Sequence, residues 1–376
     1  MKLKLKLTAV IAIMMALVIA AISIVLLSRA SALQIEAAEA NLENMTGLHA
    51  LELEGRYQVY LDVVTSLAHV MDSYQSIEPV LRRSQYIEMI RAVMDSRPNF
   101  VGMYTVWVPG TIDDRNAELA NTPGTDASGN FIAGIYRDTG SMELRACPDW
   151  QNTLKAVRKI PTISDPIRWT VRGKETLVVN ITVPIIPDGT TDIVGLVGVS
   201  FDLGLSQDIV EKLRPYGTGR TLLISNNGTV VGHYDENKVG LTAQEVITPV
   251  IGQYGLDKSL EALKTGKPAI FSSNGRICDT YPFYVGEIAT PWALLSSVES
   301  STVLASVSTL TQFTIIIAVI AVIVTGIIVF LIASSIAKPI VNVSLTLKDI
   351  SEGEGDLTKS IDVHSKDEIG DLARYF

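Results

Sequence analysis

Two long uncharged stretches constrain this chain more than any other feature of its sequence. Residues 7–27 and residues 313–332 hold almost only apolar side chains, and neither stretch contains an ionisable residue. About 20 such residues are enough for an α-helix to cross the ~30 Å hydrocarbon core of a bilayer. The sequence therefore predicts two transmembrane helices, at residues 7–28 and 311–334.

The first stretch has a competing interpretation as a cleavable signal peptide. Lys2, Lys4 and Lys6 form a basic n-region, and Ala-Ser-Ala at residues 30–32 is similar to a small-residue cleavage site. However, the apolar stretch is longer than the about 7–15 residues that are typical of a signal peptide. An uncleaved membrane anchor is therefore the favoured interpretation.

The basic residues near the start of the chain set its expected orientation. Because cytoplasmic segments carry an excess of Lys and Arg, residues 1–6 are predicted to be cytoplasmic, and two crossings return residues 337–376 to the same side. The formal net charge is −9; the first 29 residues carry +4 and the last 40 carry −3, which leaves −10 for the segment between. So acidic a segment disfavours nucleic acid and phospholipid as partners and favours a small molecule or another protein.

The sequence contains no pattern that indicates catalysis or metal binding. Its four histidines are scattered, without an i, i+4 pair or a neighbouring cysteine, and phosphate-binding and nucleophile motifs are missing. We therefore expect neither an enzyme nor a metal or other cofactor. Cys147 and Cys278 are predicted to lie outside the membrane, where they can form one disulfide or stay free and buried.

Between the two stretches, the sequence predicts a long helix followed by two similar α+β lobes. Residues 31–74 lack proline and place apolar side chains at helical spacing. The first lobe, 75–205, is expected to be membrane-distal, and the second, 206–300, membrane-proximal. Predicted strands are 100–108, 161–164, 175–186, 193–201, 220–225, 229–233, 268–272, 279–285 and 292–298, and predicted helices are 84–94, 152–157 and 257–264.

Several motifs in these lobes resemble the double Cache sensor of bacterial receptors. Thr-Ile-Ser-Asp-Pro at 162–166 and Gly-Leu-Val-Gly-Val-Ser-Phe-Asp-Leu at 195–203 resemble that family's central hairpin, and Tyr-Pro-Phe at 281–283 with Pro-Trp at 291–292 resembles its counterpart in the second lobe. The resemblance covers residues 31–300 and implies an α+β fold with a long N-terminal helix and two PAS-like, antiparallel-sheet Cache lobes. It also implies a bacterial inner-membrane protein with two crossings and an extracytoplasmic sensor.

Residues 337–376 resemble the HAMP signal-relay domain. Pro339 follows the second membrane stretch, Gly-Asp-Leu-Thr-Lys-Ser-Ile occupies 355–361, and Asp-Glu-Ile-Gly-Asp-Leu occupies 367–372. In its family HAMP is a dimeric, parallel four-helix bundle, so the resemblance implies a homodimer. The residues that it assigns to signal relay are Pro339, Glu368 and Gly370.

The HAMP resemblance also implies an output domain, because the second HAMP helix is incomplete at residue 376. In receptors of this layout the usual continuation is the methyl-accepting coiled coil of a chemoreceptor, whose partners are the chemotaxis kinase and its adaptor. A sensor histidine kinase or a diguanylate cyclase output is the alternative with the same input half. A surface interaction protein without a small-molecule pocket is the alternative from another class.

The double Cache resemblance implies a small-molecule site in the first lobe, for an amine, an amino acid or an organic acid. Asp202 matches the aspartate that binds the ligand's ammonium group at the end of the family's Gly-Val-x-x-Asp strand. The family's Arg-x-Trp-Tyr run is missing, which disfavours a standard α-amino acid. Tyr104 and Trp107 also fit a strand core. The expected ligand contacts are Asp202, Tyr136, Trp150, Arg145, Trp107, Tyr104 and Trp169.

Overall fold

The structure is a computed structural model, and it describes residues 3–352. The chain divides into two compact units. We call Glu36–Val303 the central unit, and the two ends of the chain, up to Ile35 and from Leu304 onwards, the terminal unit. Glu368 and Gly370, and with them most of the predicted HAMP segment, lie outside the described residues.

Seven α-helices occur in the described part of the chain. They are α1 (Leu3–Asp72), α2 (Pro79–Ser96), α3 (Trp150–Ala156), α4 (Gly204–Lys212), α5 (Ala243–Thr265), α6 (Ser300–Val303) and α7 (Ala305–Glu352). Both α1 and α7 contain a segment that is long and apolar enough to cross a membrane. In the central unit α1 buries Leu42, Leu53, Val64 and Met71 completely. Their spacings of eleven and seven residues keep them on one side of the helix, so the predicted long helix is confirmed.

The central unit contains two antiparallel sheets. Their strands are β1 (Phe100–Trp107), β2 (Ala133–Tyr136), β3 (Glu143–Ala146), β4 (Thr162–Ile163), β5 (Ile167–Val171), β6 (Lys174–Ile185), β7 (Gly195–Asp202), β8 (Arg220–Ile224), β9 (Val230–His233), β10 (Ala269–Ser273), β11 (Arg276–Phe283) and β12 (Trp292–Glu299). The first sheet has the order β3-β2-β1-β7-β6-β4, with β5 also paired to β6, and the second has the order β10-β11-β12-β8-β9.

The two sheets share one topology. The order β2-β1-β7-β6 in the first sheet corresponds to β9-β8-β12-β11 in the second, and each continues into an edge strand paired with β6 or β11. Along the chain, α3 precedes the edge strands β4 and β5 of the first sheet, and α5 precedes the edge strand β10 of the second sheet. This correspondence confirms the predicted α+β fold with two similar antiparallel-sheet lobes, which we call the first and the second lobe.

One hydrophobic core joins α1 and α2 to one face of each sheet. It contains Met103 and Phe201 from the first sheet, Leu294 from the second, and Tyr57 and Ile90 from the two helices, all buried. Because side chains alternate along a strand, the opposite faces of the sheets are available for other contacts. The opposite face of the first sheet carries a separate cluster beside α3, and that of the second packs on α5.

The structure adds elements that the sequence does not predict. The strands β2, β3 and β5 and the helix α4 are new, and α4 spans residues 205–206, where the sequence places the lobe boundary. The helix α5 is much longer than the predicted 257–264. Cys147 and Cys278 are both buried and free.

Candidate functional site

Most of the predicted ligand contacts lie on the α3 side of the first sheet. Tyr104 on β1, Tyr136 on β2 and Trp169 on β5 point to this side, together with Trp150 at the start of α3. We call this surface the aromatic face. Its buried members are Tyr104, Val106, Ile132, Tyr136, Cys147 and Leu196, and the partly buried residues around them are Ala146, Trp150, Leu154, Val157 and Trp169.

Three glycines allow the two tyrosine rings to lie on the sheet. A Cβ atom added at Gly198 would lie 2.3 Å from Cζ of Tyr104. A Cβ atom added at Gly102 or Gly134 would lie 2.3 or 2.4 Å from the ring of Tyr136. These distances are far below van der Waals contact, so the glycines are required for the observed ring positions. Only Gly134 lies on the same strand as the ring that it supports, so the Gly-x-Tyr pattern at 134–136 is a local sequence signal, whereas Gly102 and Gly198 act across strand pairs.

The hydroxyl groups of the two tyrosines are deeply buried. The Oη atom of Tyr104 lies 3.4 Å from Oγ1 of Thr182. Within the described residues, Oη of Tyr136 makes no hydrogen bond of standard geometry and lies beside the thiol of Cys147. Burial raises the pKa of Tyr136 well above its usual range and raises the pKa of the Cys147 thiol to about 11. Both groups are therefore neutral at physiological pH.

Arg145 connects the aromatic face to solvent. Its guanidinium carbon lies 4.4 Å from the ring centroid of Tyr136, and its Nη2 donates to Oδ2 of Asp138 at 2.5 Å. The Arg145 side chain is 35% exposed, whereas that of Asp138 is 9% exposed. The ring of Trp169 lies 5.9 Å from that of Tyr136, at an interplanar angle of 49°. The structure therefore brings Tyr104, Tyr136, Arg145, Trp150 and Trp169 together in one cluster.

Trp107 lies apart from this cluster. It is three positions after Tyr104 on β1, and an odd spacing places two strand residues on opposite faces of a sheet. The Trp107 ring is 1% exposed and packs in the core against Tyr86 at 5.6 Å and Tyr74 at 5.1 Å. Trp107 therefore has a packing role in this structure, and we leave it out of the site proposed below.

Asp202 lies near the end of the same sheet, where it lines a cavity. It pairs with Val178 on the last step of the β6–β7 ladder, four residues after the Gly198 that supports Tyr104. Four residues along a strand span roughly 13 Å, so Asp202 is not in contact with the Tyr104 ring. Its Oδ1 accepts a hydrogen bond from the backbone N–H of Gly204 at 3.0 Å. We call the cavity that it lines the Asp202 cavity.

The Asp202 cavity encloses about 540 Å³ and is lined by two carboxylates and three cationic side chains. Those charged residues are Asp202, Asp208, Arg137, Arg172 and Lys174. Arg137 donates to the carbonyl oxygens of Met94 and Arg97, at 2.6 and 3.3 Å, and Lys174 pairs with Glu236 at 3.6 Å. Lys174 is neutralised by Glu236, whereas Arg137 and Arg172 keep their charges, so the cavity offers carboxylates to a positive ligand group and guanidinium groups to a negative one.

The sequence does not predict Asp208, Asp138 or Arg172 as part of either surface. Asp208 lies on α4, a helix that the sequence pattern does not reveal. Arg172 sits in the tight β5–β6 turn with a φ of 53°, followed by Gly173 at 79°. Gly173 fits the second position of such a two-residue turn, but arginine is not a residue that the first position favours, so the sequence does not mark this hairpin.

Of the three predicted signal-relay residues, the structure describes Pro339. Pro339 lies within α7, after the apolar stretch. Glu368 and Gly370 are outside the described residues. Residues 331–376 match the model of the HAMP domain family, in agreement with the predicted resemblance at 337–376.

Sequence comparison finds relatives among chemotaxis receptors. The chain is 24% identical to the methyl-accepting chemotaxis protein TlpQ of Pseudomonas aeruginosa over an alignment of 339 positions, which covers 81% of this chain and 46% of TlpQ. It is 29% identical to PctB, a methyl-accepting chemotaxis protein of the same organism, over 48% of this chain and 28% of PctB. The chain thus spans less than half the length of these curated relatives.

Structural comparison finds the same fold in solved sensor domains. The periplasmic sensory domain of the Campylobacter jejuni chemoreceptor Tlp1 matches 72% of this chain and 98% of its own, with a TM-score of 0.57 and 19% identity. The extracellular domain of mmHK1S-Z2, which is named as a histidine kinase, matches 71% of this chain and 99% of its own, with a TM-score of 0.62 and 18% identity. The predicted resemblance is confirmed: this chain is similar to methyl-accepting chemotaxis receptors, with a two-lobed sensor fold and a HAMP domain.

Proposed function

We propose that this chain is the input half of a transmembrane chemoreceptor in a bacterial cell membrane, and a signal transducer without enzymatic activity. Three findings support this proposal: the central unit has the fold of a periplasmic chemoreceptor sensor, α1 and α7 each contain a candidate membrane span, and a HAMP match follows the second span. The HAMP match carries most weight, because it joins the sensor fold to a signalling module. In this proposal the chain crosses the inner membrane twice and its central unit lies outside.

The ligand site is proposed to lie in the first lobe, around the Asp202 cavity and the adjoining aromatic face. Asp202 and Asp208 offer carboxylates to an ammonium group, and an aromatic ring face can also hold a cation. Tyr136 adjoins Arg137 in the chain, and Trp169 pairs with Thr176, so residues next to the aromatic face line the cavity. A small amine or a modified amino acid fits this chemistry.

Asp202→Ala is expected to weaken the binding of a cationic ligand about ten- to hundredfold, without unfolding the protein. The reason is that the ammonium group loses a charge-assisted hydrogen bond worth roughly 1.5–3 kcal/mol. A thermal-shift screen of amines, amino acids and organic acids identifies the ligand, and calorimetric titration then measures its affinity. Asp188→Ala, in the exposed β6–β7 turn, is the matched control. Equal affinities for wild type and Asp202→Ala would remove Asp202 from the site.

The relay is proposed to run through α7 and HAMP in a homodimer, to an output that contacts a chemotaxis kinase and its adaptor. Pro339→Ala and Glu368→Ala, each in a fusion to a chemoreceptor output domain, are expected to lock or invert the output in a kinase assay. A ligand can shift two HAMP packings only through its differential affinity for them. Ligand affinity should therefore change by no more than the 1–3 kcal/mol that is typical of coupling between sites. Normal ligand-dependent output in both fusions would contradict the relay assignment.

A further inference from the structure

A second cavity lies in the second lobe, between the second sheet and the first half of α5. It encloses about 280 Å³ and is separate from the Asp202 cavity. Apolar side chains form its walls: Val246, Ile247, Val250 and Ile251 from α5, and Leu222 and Leu295 from the sheet. We call it the α5 cavity.

The α5 cavity occupies the position that the aromatic face occupies in the first lobe. Strands β8, β9 and β12 correspond in sheet order to β1, β2 and β7. In the first lobe the rings of Tyr104 and Tyr136 fill the space above these strands, resting on glycines. In the second lobe the corresponding surface carries Leu222 and Leu295, and the space above them stays open as the cavity. In the same fold, side chains therefore fill the space above the sheet in the first lobe, and a cavity occupies that space in the second lobe.

A break in α5 shapes the wall of this cavity. Gly252 has a φ of 72° and a ψ of 177°, so the helical path is interrupted after Ile251. Oγ of Ser273 donates to the freed carbonyl oxygen of Ile251 at 2.6 Å. At its other end the first segment begins with a capping box between Thr242 and Glu245. The first segment is thus fixed at both ends, and its apolar side faces the sheet.

The polar end of the α5 cavity has two arginines and one carboxylate. Nη1 of Arg276 lies 3.1 Å from Oε1 of Glu299, so this pair is neutral. The guanidinium carbon of Arg220 lies 4.2 Å from the ring centroid of Tyr234, and no carboxylate of residues 3–352 forms an ion pair with it. Burial lowers the pKa of His233, so this neighbour is neutral at pH 7. The cavity therefore has an excess of one positive charge, on Arg220.

We propose that the α5 cavity binds a small monocarboxylate with an apolar body. The carboxylate accepts hydrogen bonds from Arg220, whose planar guanidinium matches carboxylate geometry, and the apolar body packs against Val246 and Val250. A volume of 280 Å³ corresponds to roughly nine water molecules at ~30 Å³ each, which limits the ligand to about ten non-hydrogen atoms. A dianion such as phosphate is disfavoured, because Arg220 supplies only one uncompensated positive charge at this end.

Butyrate is the probe that tests this proposal, with the full chain in lipid nanodiscs and a ligand-detected NMR titration. We expect saturable binding of butyrate and at least tenfold weaker binding of the neutral isostere butyramide. Arg220→Gln should weaken butyrate binding ten- to hundredfold, because a charge-assisted hydrogen bond is lost. Arg214→Gln, an exposed substitution in the same lobe, should leave binding unchanged.

Two further variants test whether butyrate binds in the α5 cavity rather than in the first lobe, and whether loss of binding has a cause other than unfolding. Val250 lines the cavity yet is 44% exposed, so Val250→Phe can fill the cavity without disturbing the core, and it should block butyrate. Asp202→Ala should leave butyrate binding intact even where it weakens binding of the first-lobe ligand. The proposal is overturned if butyrate does not saturate, if butyramide binds equally well, or if Arg220→Gln and Arg214→Gln behave alike. Loss of butyrate binding in Asp202→Ala alone would move the site to the first lobe.

Discussion

Arg83→Gln is expected to lower the free energy of unfolding of the first lobe by about 3–5 kcal/mol. Nε and Nη2 of Arg83 donate to the two carboxylate oxygens of Asp113 at 2.8 and 2.7 Å, and the side chains are 6% and 0% exposed. Removing the guanidinium leaves a buried carboxylate without its counter-charge. Urea unfolding of wild type and variant, followed by circular dichroism, measures the difference.

A second salt bridge on the same helix provides the control. Arg91 pairs with Glu88 at 3.6 Å on the surface, with side chains 35% and 71% exposed. Exposed pairs of this kind contribute about 0–1 kcal/mol, so Arg91→Gln should barely change the unfolding curve. The double variant Arg83→Met/Asp113→Leu should recover part of the lost stability, because it removes both buried charges. Similar losses in Arg83→Gln and Arg91→Gln would contradict the buried-charge argument.

The same arginine also links packing to the proposed ligand site. Nη1 of Arg83 donates to the carbonyl oxygen of Gly129 at 2.8 Å, and Nη2 donates to Oδ1 of Asn116 at 2.6 Å. Arg83 thus attaches the long loop before β2 to α2 at several points. Because β2 carries Tyr136, the position of this ring on the aromatic face depends on the loop. We infer that Arg83 supports the site from the opposite side of the sheet.

The sequence predicts the long strands of both lobes because the residue composition of each strand is enough to identify it. Residues 100–108, 175–186 and 193–201 are runs of β-branched and aromatic side chains bounded by turn residues, and they become β1, β6 and β7. Strands of this kind are buried on both faces, so local composition is enough to identify them. The Asn-Asn-Gly turn at 226–228 likewise identifies the β8–β9 hairpin.

The missed elements depend on contacts that are distant in the sequence. The four residues of β2, Ala-Gly-Ile-Tyr, follow a loop rich in glycine and asparagine, and they become a strand because β1 and β3 pair with them. In α5, Pro249 and Gly252 suggest helix ends. Pro249 is nevertheless tolerated, and the break at Gly252 is satisfied by Ser273 on β10. Neither the tolerance of Pro249 nor the hydrogen bond from Ser273 can be inferred from a single segment of the sequence.

The candidate site, like the fold, has some features that follow from local sequence and others that depend on distant contacts. The predicted ligand contacts include Tyr104, Tyr136 and Trp169, and the structure places these three side chains in one aromatic cluster. Strand alternation by itself separates Trp107 from Tyr104, since the two residues are three positions apart. The distance between Asp202 and the tyrosines follows instead from the register of β7 against β6 and β1, which no local pattern contains.

Asp279→Asn is expected to stabilise the central unit at alkaline pH and to remove much of the pH dependence of its stability. The Asp279 carboxyl is 0% exposed on β11, and neither oxygen makes a hydrogen bond of standard geometry within the described residues. Burial is the main cause that raises the pKa of the Asp279 carboxyl from 3.8 to about 7; the Thr46 hydroxyl on α1 opposes this shift, and Glu43 on α1 adds to it. Its cross-strand neighbours, Ile270 and Ser296, carry no charge.

The direction of the effect follows from proton binding. Between pH 4 and pH 7 the folded protein holds a proton on Asp279 that the unfolded chain has already released. Stability therefore falls as pH rises through this range, because the unfolded state binds fewer protons than the folded state. A shift of about three pKa units corresponds to a loss on the order of 4 kcal/mol, at 1.36 kcal/mol per unit. Below pH 4 both states are protonated, and this contribution is fully present.

Urea unfolding of the purified central unit from pH 5 to pH 8.5 measures this loss. The wild type should lose several kcal/mol over that range, whereas Asp279→Asn, which is neutral at every pH, should change much less. Asp257→Asn on the exposed side of α5 is the control, and it should retain the wild-type slope. Parallel pH profiles for wild type and Asp279→Asn would show that Asp279 is ionised in the folded protein at neutral pH. Thr46 and Glu43 both lie on α1, so the long helix supplies one contact that favours the ionised Asp279 carboxylate and one that disfavours it. The expected loss of stability as the pH rises through 7 therefore comes chiefly from the burial of the charged carboxylate itself.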